Sequence, residues 1–174
     1  MASDKPSSPL DRKICFKGGA KLSLTDKTFR KLLDIVSQIH LFDGMTINEI
    51  SEICSKLSMY RYTRDDVVLE EGKTGEQFFI IFAGTVRIFV HQGIFRKPKE
   101  VATVNAGGIV GEMALITQKP CTASVVAAGE LKVFAGGKAL LDDLIQRNQA
   151  FADNIEGLLL QRNNAAAAHL VHEK

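Results

Sequence analysis

The residues with the most chemistry in their spacing run Gly107-Gly108-Ile109-Val110-Gly111-Glu112-Met113-Ala114-Leu115-Ile116, continued by Thr117-Gln118-Lys119-Pro120-Cys121-Thr122-Ala123-Ser124-Val125. A Gly-Glu-Met-Ala-Leu turn between strands exposes successive backbone N–H groups at a short helix start, and such a cluster can cradle one compact anion. Gly111 has no Cβ and lets the backbone approach a ligand closely. Glu112, when ionised, only accepts hydrogen bonds, so it suits sugar hydroxyls and not a phosphate. Simpler roles stand beside these: Glu112 as a turn carboxylate satisfied by neighbouring N–H groups, and Thr122 as an ordinary strand-entry hydroxyl.

The other reactive side chains form no second constellation. Cys15, Cys54 and Cys121 are odd in number, widely spaced and without a CxxC pair, which suggests neither a zinc ribbon nor a disulfide framework. They are expected as free thiols in a reducing cytoplasm. Cys121 has no His neighbour in sequence, with spatial pairing to His40 or His91 left open. His169-x-x-His172 has ligand-like spacing on a helix but lacks a third ligand, and is expected as a surface pair. No paired carboxylates or nucleotide-hydrolysing motif appear, so the chain is expected not to be an enzyme and to hold no metal or cofactor.

Two helical segments, a run of strands and a further helical segment must position these residues. From Thr25, the apolar residues Phe29, Leu32, Leu33, Val36 and Ile39 fall at helical spacing. Thr46-Ile47-Asn48-Glu49 spells a capping box, with Met45 and Ile50 at the staple positions. Ile47, Ile50, Ile53, Cys54 and Leu57 form the expected buried stripe of that helix. Beyond Tyr60 the period changes to 2, over 60–63, 67–70, 78–83, 85–91, 100–104, 123–127 and 131–134, with turn residues between. Strands this short and regular predict a small antiparallel barrel or roll. After Gly136-Gly137, Leu140, Leu141, Leu144, Ile145, Phe151, Ile155, Leu158 and Leu159 make a long helical stripe.

The 174 residues, 45% hydrophobic and 24% charged, have the balance of a soluble globular protein. The net charge of +2 hides an asymmetry: up to Lys31, eight Lys and Arg outnumber three Asp, while the remainder carries a surplus of three acidic residues. The N-terminal sequence has no apolar core like that of a secretory signal. No apolar run approaches the roughly 20 residues needed to span a bilayer, so a cytoplasmic location is expected. The expected organisation is a basic flexible leader over 1–23, N-terminal helices over 24–58, a β-roll over 59–136 with the glycine-rich cassette at 107–125, C-terminal helices over 137–164 and a frayed tail over 165–174.

Glu71-Gly72, Phe78-Phe79-Ile80-Ile81, Gly84-Thr85-Val86, Gly111-Glu112-Met113-Ala114-Leu115 and Pro120 through Val125, in this order, resemble the cyclic nucleotide-binding domain family. The resemblance runs from about Leu41 to Arg162, some 70% of the chain. It implies an α+β fold, an eight-stranded antiparallel, jelly-roll-like β-roll flanked by N-terminal helices and a long C-terminal helix. It also implies that Gly111 and the N–H groups of Glu112, Met113 and Ala114 face a cyclic phosphate, and that Glu112 holds the ribose 2′-hydroxyl. Val110 and Leu115 would line the floor. Thr122 stands where members favouring cGMP often place a threonine, with Ser124 two residues later. Leu158, Leu159 and Arg162 are the candidates for a lid over the base.

The family places an arginine after the cassette proline, and this sequence has Cys121. Truncating one partner of a buried charge pair costs about 2–5 kcal/mol, roughly 30- to 4000-fold in affinity. Lys119 is close in sequence, but Pro120 fixes the backbone between it and Cys121. The resemblance therefore implies a regulatory protein that senses cGMP or cAMP through a weakened or altered site and signals through a partner protein or by self-association of its helices. The alternative is a nucleotide-independent interaction scaffold. Activator-type relatives carry a DNA-reading helix-turn-helix after the long helix. Only twelve residues follow Arg162 here, so DNA is not an expected partner.

Overall fold

The computed structural model describes residues 19–91, 93 and 97–171, with side chains through Arg162. The rest of the expected leader, Cys15, the His169/His172 side-chain pair and the last three residues lie outside the described set. In chain order the elements are β1 (Ala20–Leu22), α1 (Asp26–Val36), a 3-10 turn (His40–Phe42), α2 (Ile47–Lys56), β2 (Ser58–Tyr62), β3 (Val67–Leu69), β4 (Gln77–Ala83), β5 (Thr85–Val90), β6 (Lys99–Asn105), β7 (Ile109–Val110), α3 (Glu112–Thr117), β8 (Ser124–Ala127), β9 (Leu131–Gly137), α4 (Lys138–Arg147) and α5 (Gln149–Val171). The described residues divide into a β unit, Leu57–Gly137 with 19–24, and a helical unit, Thr25–Lys56 with 138–171.

In the β unit every pairing is antiparallel, in a five-stranded sheet ordered β1-β2-β9-β4-β7 and a four-stranded sheet ordered β3-β8-β5-β6. Alternate residues of the two sheets meet in one core. Tyr62, Phe79, Ile81, Val110, Leu131, Val133 and Ala135 come from the first sheet, and Val68, Val86, Val125 and Ala127 from the second. This is the period-2 burial of two facing sheets. β4 reads as an unbroken apolar run because its other face is buried as well: Phe82 meets Phe134 edge-on at 5.3 Å between ring centres, and Phe78 fills the space a Cβ on Gly136 would need.

The strands number nine among the described residues, one more than the eight expected. Ala20–Leu22, expected in the flexible leader, pair with Met59–Arg61 as an edge strand. Backbone pairing, with Gly19 close against the Tyr62 ring, holds this three-residue segment. β7 has only two residues, too few for alternation to show in sequence.

The helical unit is built on local caps. Thr25 accepts the Thr28 N–H at 3.2 Å and starts α1, whose Leu32 and Val36 are buried. The expected capping box opens α2: the Thr46 N–H donates to Glu49 Oε2 at 2.7 Å, and the Glu49 N–H donates to Thr46 Oγ1 at 3.3 Å. Ile50, Ile53 and Cys54 are buried, but Ile47, expected on the same stripe, is 61% exposed. It is the first helical residue, and helical side chains tilt toward the N-terminus, which carries this one past the end of the stripe. The long C-terminal helical stripe is carried by two helices, α4 and α5. Asn148 interrupts it, accepting the Phe151 N–H at 2.9 Å as the cap of α5 and donating from Nδ2 to Glu49 at 3.0 Å. α5 continues through Val171, so the tail expected to fray from 165 is helical over most of its length. Phe151 packs on Phe42 at 5.5 Å, and Asn154 donates to the Asp43 carbonyl at 3.0 Å.

Candidate functional site

The cassette grows out of the end of β7. Gly111 caps α3 with φ +87°, a left-handed conformation. A Cβ there would stand 2.8 Å from the Gln77 carbonyl oxygen and 2.9 Å from Leu69 Cδ1. Both conformation and space therefore demand glycine. The turn seats α3 with Glu112 completely buried, Ala114 and Leu115 buried, and Met113 half-buried. Thr117 Oγ1 donates to the Met113 carbonyl at 2.7 Å, and Gln118, at φ +54°, turns the chain out of the helix.

After Pro120 the chain meets the turn that follows β3. The Gly72 N–H donates to the Cys121 carbonyl at 2.8 Å, and the Cys121 N–H donates to the Lys73 carbonyl at 2.8 Å. Gly72 has φ +81°. Two residues facing one, the first a left-handed glycine, define a G1 β-bulge, a device that bends a strand beside a site. Gly75 completes the contact: a Cβ on it would lie 2.7 Å from Ala114 Cβ and 3.3 Å from Cys121 Sγ. The bulge, α3 and Cys121 thus close on one another.

Ser124 is buried and accepts the Glu71 N–H at 3.0 Å. Glu71 Oε2 in turn accepts the His91 N–H at 2.9 Å and lies 2.9 Å from His91 Nδ1, tying the turn to the end of β5. Burial pushes the Cys121 thiol above its ordinary value, so at neutral pH it is an uncharged group.

The expected residues Val110, Gly111, Glu112, Met113, Ala114, Leu115, Cys121 and Ser124 therefore gather in the β unit, six of them buried side chains. Thr122 follows Cys121 but is exposed. Leu158, Leu159 and Arg162 fall on α5 of the helical unit, all half-buried. Sequence reasoning passed over Lys73 and Gly75 as site residues; His91, weighed only as a partner for Cys121, bonds to Glu71. Glu71-Gly72 carried the signal of the turn, but only the cross-strand register shows that it faces Cys121. Among the described residues no cluster of His, Cys, Asp and Glu is arranged to hold a metal ion. No helix among them is long and apolar enough to cross a membrane.

With these features in place, residues 60–148 match the family model for the cyclic nucleotide-binding domain, and the chain belongs to that family. Among curated proteins it is similar to the cAMP-dependent protein kinase regulatory subunit of Pyricularia oryzae, 31% identical over 125 residues, covering 70% of this chain and 31% of that protein. The corresponding subunit of Dictyostelium discoideum is 26% identical over 165 residues, covering 92% of this chain and 47% of that protein. Among solved structures, a cyclic nucleotide-binding domain from Methylobacillus flagellatus superposes with a TM-score of 0.68 at 29% identity, covering 86% of this chain and 84% of the other. The chain spans about a third to a half of the length of the first curated relatives it matches.

Proposed function

We propose that the β unit binds a cyclic nucleotide, cGMP or cAMP, and that the chain is a regulatory protein passing this signal to a protein partner, in the cytoplasm. The observation that carries the reading is the closed cassette: Gly111–Leu115, Cys121 and Ser124 gathered in the segment that matches the family. In this reading the N–H groups after Gly111 take the cyclic phosphate, Glu112 takes the ribose 2′-hydroxyl, and Val110 and Leu115 form the floor. Thr122 sits at the cassette rim, and Leu158, Leu159 and Arg162 are kept as lid candidates. The partner is argued from the curated relatives, which are named as regulatory subunits of kinases. No reaction is assigned to the chain.

The test is equilibrium binding of cGMP, cAMP and their 2′-deoxy analogues to the wild type and to Glu112→Gln. Removing one hydrogen bond to a carboxylate costs about 1.5–3 kcal/mol, on the order of 10- to 100-fold. The 2′-deoxy analogues should lose this factor against wild type and much less against Glu112→Gln. Equal losses in both proteins would remove Glu112 from the site. The uncharged Cys121 thiol favours a second reading, a scaffold that binds its partner without nucleotide. A folded wild type that takes up neither cyclic nucleotide would overturn the first reading and leave the second.

A further inference from the structure

The cassette's side chain at position 121 is a buried, uncharged thiol, so any cation that meets an anionic ligand in the proposed site comes from another residue. The G1 bulge singles out one. Cys121 gives its N–H to the carbonyl of Lys73, which makes Lys73 the residue opposed to it across the pair. Residues opposed in an antiparallel pair share a face, with Cβ atoms roughly 4.5–5.5 Å apart. Gly75, two residues on, is turned toward Cys121 Sγ and Ala114 Cβ, which runs the loop along the cassette. The Lys73 side chain is exposed and takes part in none of the ion pairs among the described residues. Its four-carbon stem is long and flexible enough to cross to a neighbouring ligand. Lys119, also exposed, is separated from Cys121 by Pro120 and has no comparable pairing.

We infer that Lys73 supplies the cation that meets the ligand's phosphate, carried by the bulge opposite Cys121 and not by position 121 itself. This rests on the reading of the β unit as a cyclic nucleotide site. Lysine offers a mobile point charge in place of the bidentate fork of an arginine, so the contact should be salt-sensitive. The Gly72 bulge then has a binding role: it sets the register that places residue 73 across from residue 121.

The experiment is equilibrium titration of cGMP and cAMP, with guanosine and adenosine as phosphate-free probes, into wild type, Lys73→Met, Lys119→Met, Cys121→Arg and the Lys73→Met/Cys121→Arg double variant. Lys73→Met should weaken the cyclic nucleotides about ten- to a hundredfold and leave the nucleosides unchanged. Lys119→Met should change neither by more than about twofold. In the Cys121→Arg background, where an arginine already meets the phosphate, Lys73→Met should cost less than about threefold. Position 73 is exposed, so the thermal midpoint of Lys73→Met should match wild type, and a binding loss is not a folding loss. Wild-type affinity in Lys73→Met, or the loss appearing in Lys119→Met instead, overturns the inference and leaves the sensing reading standing. A wild type that binds neither cyclic nucleotide overturns both.

Discussion

Replacing Gly111 by alanine should destabilise the β unit out of proportion to one methyl group. The left-handed backbone at φ +87° costs an L-residue about 1–2 kcal/mol. The new methyl would lie 2.8 Å from the Gln77 carbonyl oxygen and 2.9 Å from Leu69 Cδ1. Relief of such overpacking costs typically about 1–3 kcal/mol. Together these give a loss of about 2–5 kcal/mol against a total domain stability on the order of 5–15 kcal/mol. In a urea titration followed by circular dichroism, with a slope of about 2 kcal/mol/M, the midpoint should fall by about 1–2.5 M. Gly157→Ala is the matched control. Gly157 is exposed within α5 and a Cβ on it meets nothing within 4 Å. That change should stabilise by about 0.5–1 kcal/mol through helix propensity. A Gly111→Ala midpoint within experimental error of wild type would refute the claim that backbone conformation and the Gln77 carbonyl together fix this residue.

Three further outcomes follow from the caps and thiols. The Thr46 N–H, then the Thr46 hydroxyl and Asn148, hold the Glu49 carboxyl below its ordinary 4.5. A depressed folded-state pKa adds stability that is present above the unfolded value and is lost as pH falls through the folded one. Glu49→Gln should therefore flatten the fall in stability below about pH 4.5, as read by denaturation at a series of pH values; an unaltered slope would exclude this carboxylate as a contributor. Asn148→Ala removes the α5 cap and the bond to Glu49, and should cost about 1–2 kcal/mol in chemical denaturation, whereas an unmoved midpoint would mean the α4–α5 break does not rest on this side chain. Burial pushes the Cys54 thiol up to about 12 and the Cys121 thiol upward as well, so both should resist alkylation at pH 8 until the protein unfolds. Mass-spectrometric labelling of either at the rate of a denatured sample would contradict their buried placement.

What was legible in the sequence was local. The Thr46–Glu49 box needs only four consecutive residues, and both hydrogen bonds form as the spacing predicts. The core strands show as alternation because neighbouring side chains face opposite sides, and the cassette shows as a glycine-rich turn because Gly111 must be left-handed. What failed depended on partners distant in the chain. Asn148 breaks the C-terminal stripe while bonded to Glu49, 99 residues away, and nothing in its neighbours signals this. β1 exists only by pairing with Met59–Arg61, since its own residues have little strand character. Lys73 and Gly75 were passed over because their proximity to Cys121 is a matter of register across a bulge, which no single segment encodes. Ile47 misled because spacing gives the face of a helix but not where the covered stripe ends.

The central claim is that the β unit takes up a cyclic nucleotide although an uncharged thiol occupies position 121. Calorimetric titration of cGMP and cAMP into the wild-type chain and into Cys121→Arg tests it most directly. Saturable binding of at least one of them by the wild type, tightened in Cys121→Arg, is the expected result; a folded wild type that gives no heat of binding with either nucleotide, whether or not Cys121→Arg binds, refutes it.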